Sequence, residues 1–244
     1  MKTIRIAMMS FLVLSAVSCA ELYYIMEQTN KKGLSEQEVV HGLKTALEVG
    51  VDTAVAVTSK TNGYYKDEAI RIMLPPEADV VYDHKDNLLF RSLGLDKLID
   101  EAVLSINRSA EDAASEARPI LKWSITSLSI SEGWKILNGK NPASGASQQE
   151  AFDSTAATGY LKSTTYDQLF EEFNPIINES LEKKLVGNLS TRQIRDDLTS
   201  SYNKVARPLG MNTVDTPLDH YVTDKALEGL FQKIAVEETQ IRRD

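Results

Sequence analysis

From Ser35 onward the apolar residues recur every three or four positions, the interval that lines one face of a helix. Ser35 and Glu38 open the pattern with the Ser-x-x-Glu spacing, in which each side chain satisfies a backbone amide beside the other. Val39, Leu43, Ala46, Leu47 and Val51 follow on one stripe. The helix is expected to run through Val55 to a cap at Asn62-Gly63, with Gly50 as a weak point inside it. Residues 70–74 (IRIML) fit either a short strand or a helical turn, since alternation over so few positions does not decide. Pro75-Pro76 ends that segment and opens a helix that should stop near Gly94. The longest helix is expected from Asp96, with Leu98, Ala102, Ile106, Ala110, Ala113 and Ala117 as its inner stripe. Only alanine fills the second half of that stripe, so a neighbouring backbone can come close. Pro119 kinks or restarts the helix.

A second Ser-x-x-Glu box, at Ser129 and Glu132, launches a short helix carrying Trp134, Ile136 and Leu137 and closed by Gly139. Residues 139–149 are rich in Gly, Ser and Pro and form one clear loop. Composition does not change across it, so it reads as a loop within one domain. Ser147 and Glu150 are spaced as a cap, and Thr165 with Gln168 is expected to open another helix. Its stripe is Leu169, Phe170, Phe173, Ile177, Leu181 and Leu185, interrupted at Pro175. Ser190 and Gln193 cap a helix with Ile194, Leu198, Tyr202 and Val205, stopped by Pro208. Thr216-Pro217 begins the last helix, where Leu227, Leu230, Phe231, Ile234 and Ile241 share a face. Strand signals are nearly absent and no repeat period is visible. The fold class is all-α: a single multi-helix domain after a cleaved signal peptide.

The targeting segment follows from the first residues. Lys2 and Arg5 supply a positive start, and residues 6–17 are an apolar run broken only by Ser10 and Ser15. That run is too short for a bilayer core, which takes roughly 20 apolar residues. Small residues, Ala16 and Ser18, stand before Cys19, the only cysteine in the chain. An intramolecular disulfide therefore has no second member. The sequence Leu14-Ser15-Ala16-Val17-Ser18-Cys19 resembles a lipobox, in which the thiol takes a diacylglycerol and becomes the mature N-terminus. The expected plan is a signal peptide over 1–18, a lipidated tether over 19–34 and a helical domain over 35–244. Two or three acyl chains hold a membrane more firmly than one. Ala20 stands where Asp would retain the protein at the inner membrane, so by resemblance to known sorting rules the outer membrane is favoured. Tyr23, Tyr24, Ile25 and Met26 either touch lipid headgroups beside the anchor or pack on the domain.

Charge narrows the partners. The formal net charge is −8, and it becomes more negative once Lys2 and Arg5 are cleaved. An acidic surface argues against nucleic acid and against a polybasic grip on anionic lipid. His41, His84 and His220 show no metal-ligand spacing, and no cysteine is free to join them. The loop around Gly145 lacks the Lys-Ser/Thr of a phosphate cradle, and no serine sits in a nucleophile elbow. No catalytic residue, metal site or cofactor is expected.

Two polar groups do sit oddly against apolar stripes. Asn107, Arg108 and Glu111 border the alanine stripe. Arg108 can reach Glu111 at i+3 or Asp112 at i+4, and Asn107 faces Glu111 at i+4. Near the C-terminus, Glu238 falls where the stripe of Phe231, Ile234 and Ile241 should continue, with Arg242 four residues on. Interhelical pairing at the rim of the core is one reading and a polar-lined pocket between helices is another.

Five ordered segments resemble one family: residues 33–47 (GLSEQEVVHGLKTAL), 70–75 (IRIMLP), 107–117 (NRSAEDAASEA), 156–169 (AATGYLKSTTYDQL) and 221–242 (YVTDKALEGLFQKIAVEETQIR). The chain is similar to the family catalogued as domain of unknown function 4197, exported bacterial proteins that are often lipoproteins. The resemblance implies helical structure and export, not chemistry. The family's Asn-Arg-Ala-Ala-Glu falls on Asn107, Arg108, Ser109, Ala110 and Glu111. Its Ala-Ala-Thr-x-Tyr falls on Ala156, Ala157, Thr158 and Tyr160, and its Glu-Glu-x-x-Ile-Arg on Glu237, Glu238, Ile241 and Arg242. The family's Asp-Ala after the mid-chain cap is Glu132-Gly133 here, and its basic segment ending in Phe-Gly is not found before Asp244. Thr158 and Tyr160 thus join Asn107, Arg108, Glu111, Glu238 and Arg242 as candidates for a polar pocket or structural ion pairs. The expected function is that of a non-enzymatic envelope lipoprotein binding a partner protein. A binder of a small apolar ligand is the alternative, and an uncharacterised enzyme stands behind both.

Overall fold

The computed structural model describes residues 33–75, 95–145, 151–183, 190–208, 210, 213 and 217–243. Cys19 and the whole leader, the helix expected before Gly94, the cap at Ser147 and Glu150, and Leu185 lie outside the described residues. So do the side chains of Leu98, Ile194, Leu198, Tyr202 and Val205.

The chain divides into two units, residues 1–42 and residues 43–244. In the first, the box at Ser35 forms as expected. The Ser35 amide donates to the Glu38 carboxylate at 2.8 Å, and the Glu38 amide donates to Ser35 Oγ at 3.3 Å. These bonds favour the ionised carboxylate and hold it below its ordinary pKa. Helix α1 (Glu36–Thr58) begins there.

The second unit holds the core. Helices α2 (Leu95–Ala114), α3 (Ala117–Ser127), α4 (Ile130–Leu137), α5 (Ala156–Glu182), α6 (Thr191–Ala206) and α7 (Leu218–Ile241) follow, with no strand among the described residues. The fold is all-α. Helix α5 is the hub: it packs on α7, α2 and α3, and more lightly on α6. Its buried side chains include Leu161, Leu169, Phe173, Ile177 and Leu181, at the three-and-four spacing that keeps one face inward. The alanine stripe of α2 is fully buried at Ala110 and Ala113, and continues through Ala114 to Ala117 at the start of α3. Methyl-sized side chains there let whole helices approach closely.

Both mid-chain boxes close as the spacing implies. Ser129 accepts from the Glu132 amide and Ser190 from the Gln193 amide, and in each box the return bond is present. Helix α4 ends where Gly139 takes a left-handed φ of 69°. A Cβ at that position would lie 2.5 Å from the Phe152 ring, so glycine is required twice over.

Four expectations need correction. The longest described helix is α5, with 27 residues, not the one opening near Asp96, which has 20. Thr165 does not open it: the helix already runs from Ala156, and Thr165 Oγ1 donates back to the Leu161 carbonyl at 2.6 Å. A hydroxyl that finds a carbonyl one turn back no longer serves as a cap. Pro175 does not interrupt α5 either. Proline leaves the carbonyl four residues earlier unmatched, but Glu171 and Pro175 both face solvent, where water can take that bond. Finally, the break before α3 falls at Ser115 and Glu116, ahead of Pro119, which sits in the first turn where its missing amide is harmless.

Candidate functional site

The two odd carboxylates both turn inward, each 3% exposed. Their surroundings share a plan.

Past the end of α1 the chain turns tightly through Asn62, whose φ of 66° is left-handed and suits asparagine better than most side chains. The turn aims three backbone amides at Glu111 on α2. Asn62 donates at 3.1 Å, and Tyr64 and Tyr65 each at 3.2 Å. Successive amides pointing into one hollow make an anion site out of backbone alone. Arg108, one turn earlier on α2, pairs with the same carboxylate and donates to Asn62 Oδ1 at 2.9 Å. Of the two partners offered by spacing, Arg108 takes Glu111.

Asn107 departs from expectation. It does not meet Glu111 but is fully buried against residues 70–74. Its Oδ1 accepts from the Ile72 amide at 2.9 Å, and its Nδ2 donates to the Ile72 carbonyl at 2.7 Å and to the Val103 carbonyl at 2.7 Å. A carboxamide carries one acceptor and two donors, and all three functions are used. Segment 70–74 is therefore neither strand nor helical turn. It alternates like a strand, with Ile70, Ile72 and Leu74 buried and Arg71 and Met73 exposed, but its pairing partner is one side chain. Tyr64 beside it is wholly buried and donates its hydroxyl to the Ala226 carbonyl at 2.7 Å. Burial, then the charge of Glu111, push its phenol far above the ordinary range. Helix α7 comes close here because Gly229 has no Cβ: one would stand 2.8 Å from Tyr64 and 3.1 Å from Ile70.

Glu238, on α7, repeats the plan at the start of α5. It accepts from the Ala157 amide at 3.0 Å, the Thr158 amide at 2.8 Å and Thr158 Oγ1 at 2.8 Å. The residue before α5, Thr155, makes no side-chain cap of its own. The carboxylate from a helix 80 residues away does that work, where the unpaired amides and the helix dipole both favour an anion. Arg242 grips the same carboxylate through Nε at 3.0 Å and Nη2 at 2.7 Å, and Nη2 also donates to the Ile136 carbonyl near the end of α4 at 2.9 Å. Its guanidinium lies 5.6 Å from the centre of the Phe152 ring. One ion pair thereby joins α7, the start of α5 and the end of α4.

Tyr160 belongs elsewhere. Though near Thr158 in sequence, its hydroxyl is pushed upward chiefly by burial and then by the charge of Glu132, with a Ser124 hydrogen bond opposing. Thr158 joins the Glu238 group and Tyr160 does not. His220 stacks edge-on against Phe170 at 5.3 Å. Among the described residues no three His, Cys, Asp or Glu side chains gather as metal ligands, and no helix is long and apolar enough to cross a membrane.

The chemistry open to these carboxylates is limited. A carboxylate offers about four lone-pair directions. Glu111 and Glu238 fill theirs with backbone amides and an arginine, so taking a proton from a substrate would mean releasing a structural bond. Neither lines either of two open grooves found among the described residues. One, of about 340 Å³, lies between α3 and α5 at Trp123, and the other, of about 300 Å³, lies beside residues 69–73 and Lys225. Trp123 escaped notice in the sequence, although the helical period of Ile120, Leu121, Ser124 and Ile125 already puts it off the buried stripe.

The model of the family described as "Protein of unknown function (DUF4197)" matches residues 33–244, and the chain belongs to that family. No curated protein and no solved structure matches it.

Proposed function

We propose that this member of the family is a lipid-anchored helical module of the bacterial cell envelope that binds a partner protein and performs no chemistry of its own. The observation carrying the second half is the full engagement of Glu111 and Glu238. Among the described residues, the acid groups best hidden from water, where a catalytic carboxylate gains its strength, serve as caps for backbone. The anchor rests on Cys19 and the apolar run before it. Ala20 directs the reading toward the outer membrane. The acidic surface points to a protein partner in preference to nucleic acid.

Mass spectrometry of the mature protein should find an acylated Cys19 as its N-terminus, and Cys19→Ser should leave the protein unprocessed or release it from the membrane fraction. Any other mature N-terminus overturns the anchor. Cross-linking in intact cells should capture a protein partner, and a domain that captures none over its whole surface is not an interaction module.

A further inference from the structure

We infer that the groove around Trp123 seats a basic side chain, arginine or lysine, presented by the partner protein. This rests on the reading of the domain as a protein-binding module and names the chemistry of one contact.

Trp123 is 67% exposed, on the face of α3 opposite its buried residues Ala117, Ile120, Leu121, Ser124 and Ile125. The groove of about 340 Å³ beside it has the buried Ile120 as its floor and Pro119 as a wall, with Glu116 from the start of α3 and Gln168 and Glu172 from α5 on its rim. The neighbouring cations of α3 turn the other way, toward α1. Arg118 pairs with Asp52 at 3.3 Å, and Lys122 with Glu48 and Asp52, each at 3.6 Å. Glu116 accepts from Ser115 Oγ at 3.4 Å. Neither Glu116 nor Glu172 has an ion pair among the described residues, so the rim keeps its negative charge.

An indole face attracts a cation through its quadrupole, and carboxylates beside it add direct Coulomb attraction. Guanidinium suits both, since its plane stacks on the ring while its edge donates to a carboxylate. An acidic or neutral peptide would use the indole but meet repulsion or nothing at the rim. The groove is open to solvent, whereas sites for small molecules bury most of the ligand's surface. It therefore fits a side chain standing out from a partner's surface. The net charge of −8 draws such a partner in from a distance.

The test pans a random peptide library against the full-length protein in detergent, against Trp123→Ala and against Glu172→Gln. Enriched peptides should carry arginine or lysine beside an apolar residue. They should bind Trp123→Ala roughly fivefold or more weakly and lose affinity as salt rises. Glu172→Gln should give a smaller loss. Both side chains are exposed, so thermal melts of the variants should match the wild type, and Glu172→Gln carries the test should Trp123→Ala not fold. Neutral or acidic peptides, undiminished binding to Trp123→Ala, or no enrichment at all would each overturn the seat. If phosphatidylcholine vesicles shift Trp123 fluorescence and no peptide enriches, the groove answers to a lipid headgroup and the inference is wrong. Peptides that bind equally well without Trp123 leave the module reading standing and move its surface elsewhere. Failure of cross-linking in cells, by contrast, removes the module reading itself.

Discussion

Glu111 and Glu238 are the same device built twice, and they differ in what they hold. Each is a glutamate buried on one helix, paired with an arginine about one turn away along the chain and accepting backbone amides from a distant segment. Glu111 closes a turn. Its amides stand at 3.1–3.2 Å, and the side chain of its arginine remains 34% exposed. Glu238 starts a helix. Its amides stand at 2.8 and 3.0 Å, its arginine is 16% exposed, and that arginine also holds the end of α4. A turn presents a few amide dipoles, whereas a helix start presents those dipoles backed by a whole helix. The comparison therefore ranks the two: Glu238 should matter more, and its arginine should be the harder one to strand.

The largest effect is expected from Glu238→Ala. It leaves Arg242 with little water and two amides at the start of α5 without an acceptor, a loss of about 3–5 kcal/mol in a urea titration. Read as an ion pair alone, apolar replacement of both Glu238 and Arg242 should restore most of that loss. Read as a cap, it should not, because Ala157 and Thr158 would still lack a partner. A double variant as stable as wild type would break the cap reading. Glu111→Ala should fall below Glu238→Ala, at about 2–4 kcal/mol, because the more exposed Arg108 can hydrate once abandoned. Equal or reversed losses would show that the number of amides outweighs the helix behind them.

Asn107→Ala sharpens the contrast by removing a neutral bridge. Ile72 would keep a buried amide and carbonyl with no partner, costing about 1–3 kcal/mol. Hydrogen exchange at Ile72 should speed up more than at Tyr64, whose amide stays on Glu111. Equal acceleration at both would make the turn and segment 70–74 one cooperative piece.

The helical class, the boxes at Ser129 and Ser190 and the alanine stripe were legible because each is a local pattern. The pairing of Glu238 with Arg242 was legible for the same reason, being one helical turn apart. What else Glu238 holds was not, because Ala157 and Thr158 enter from another part of the chain. Motif resemblance put Thr158 and Glu238 on one roster without saying that they touch. Segment 70–74 was undecidable on its own terms: its conformation is set by Asn107, 35 residues on. Thr165 and Pro175 misled because a cap residue and a breaker act only when their neighbours leave them no other bond.

The smallest expected effect comes from the local form of the same contact, at Glu132. Its carboxylate accepts from the Ser129 amide at 2.8 Å and from Ser129 Oγ at 2.7 Å. The backbone bond first, and then the hydroxyl, hold its pKa below the ordinary 4.5, against a mild opposing effect of burial. Glu132→Ala should cost about 1 kcal/mol near neutral pH, as loss of a capping contact does. A carboxyl with a lowered pKa in the folded protein contributes its stability above the ordinary carboxylate range and loses it as pH falls through the folded value. The gap between wild type and Glu132→Ala should therefore close as the solution is acidified past 4.5 and through that lowered value. A gap that persists below it would mean that the neutral side chain caps as well as the anion. Charge would then not be what unites this box with the two buried carboxylates, and their ranking by helix dipole would lose its basis.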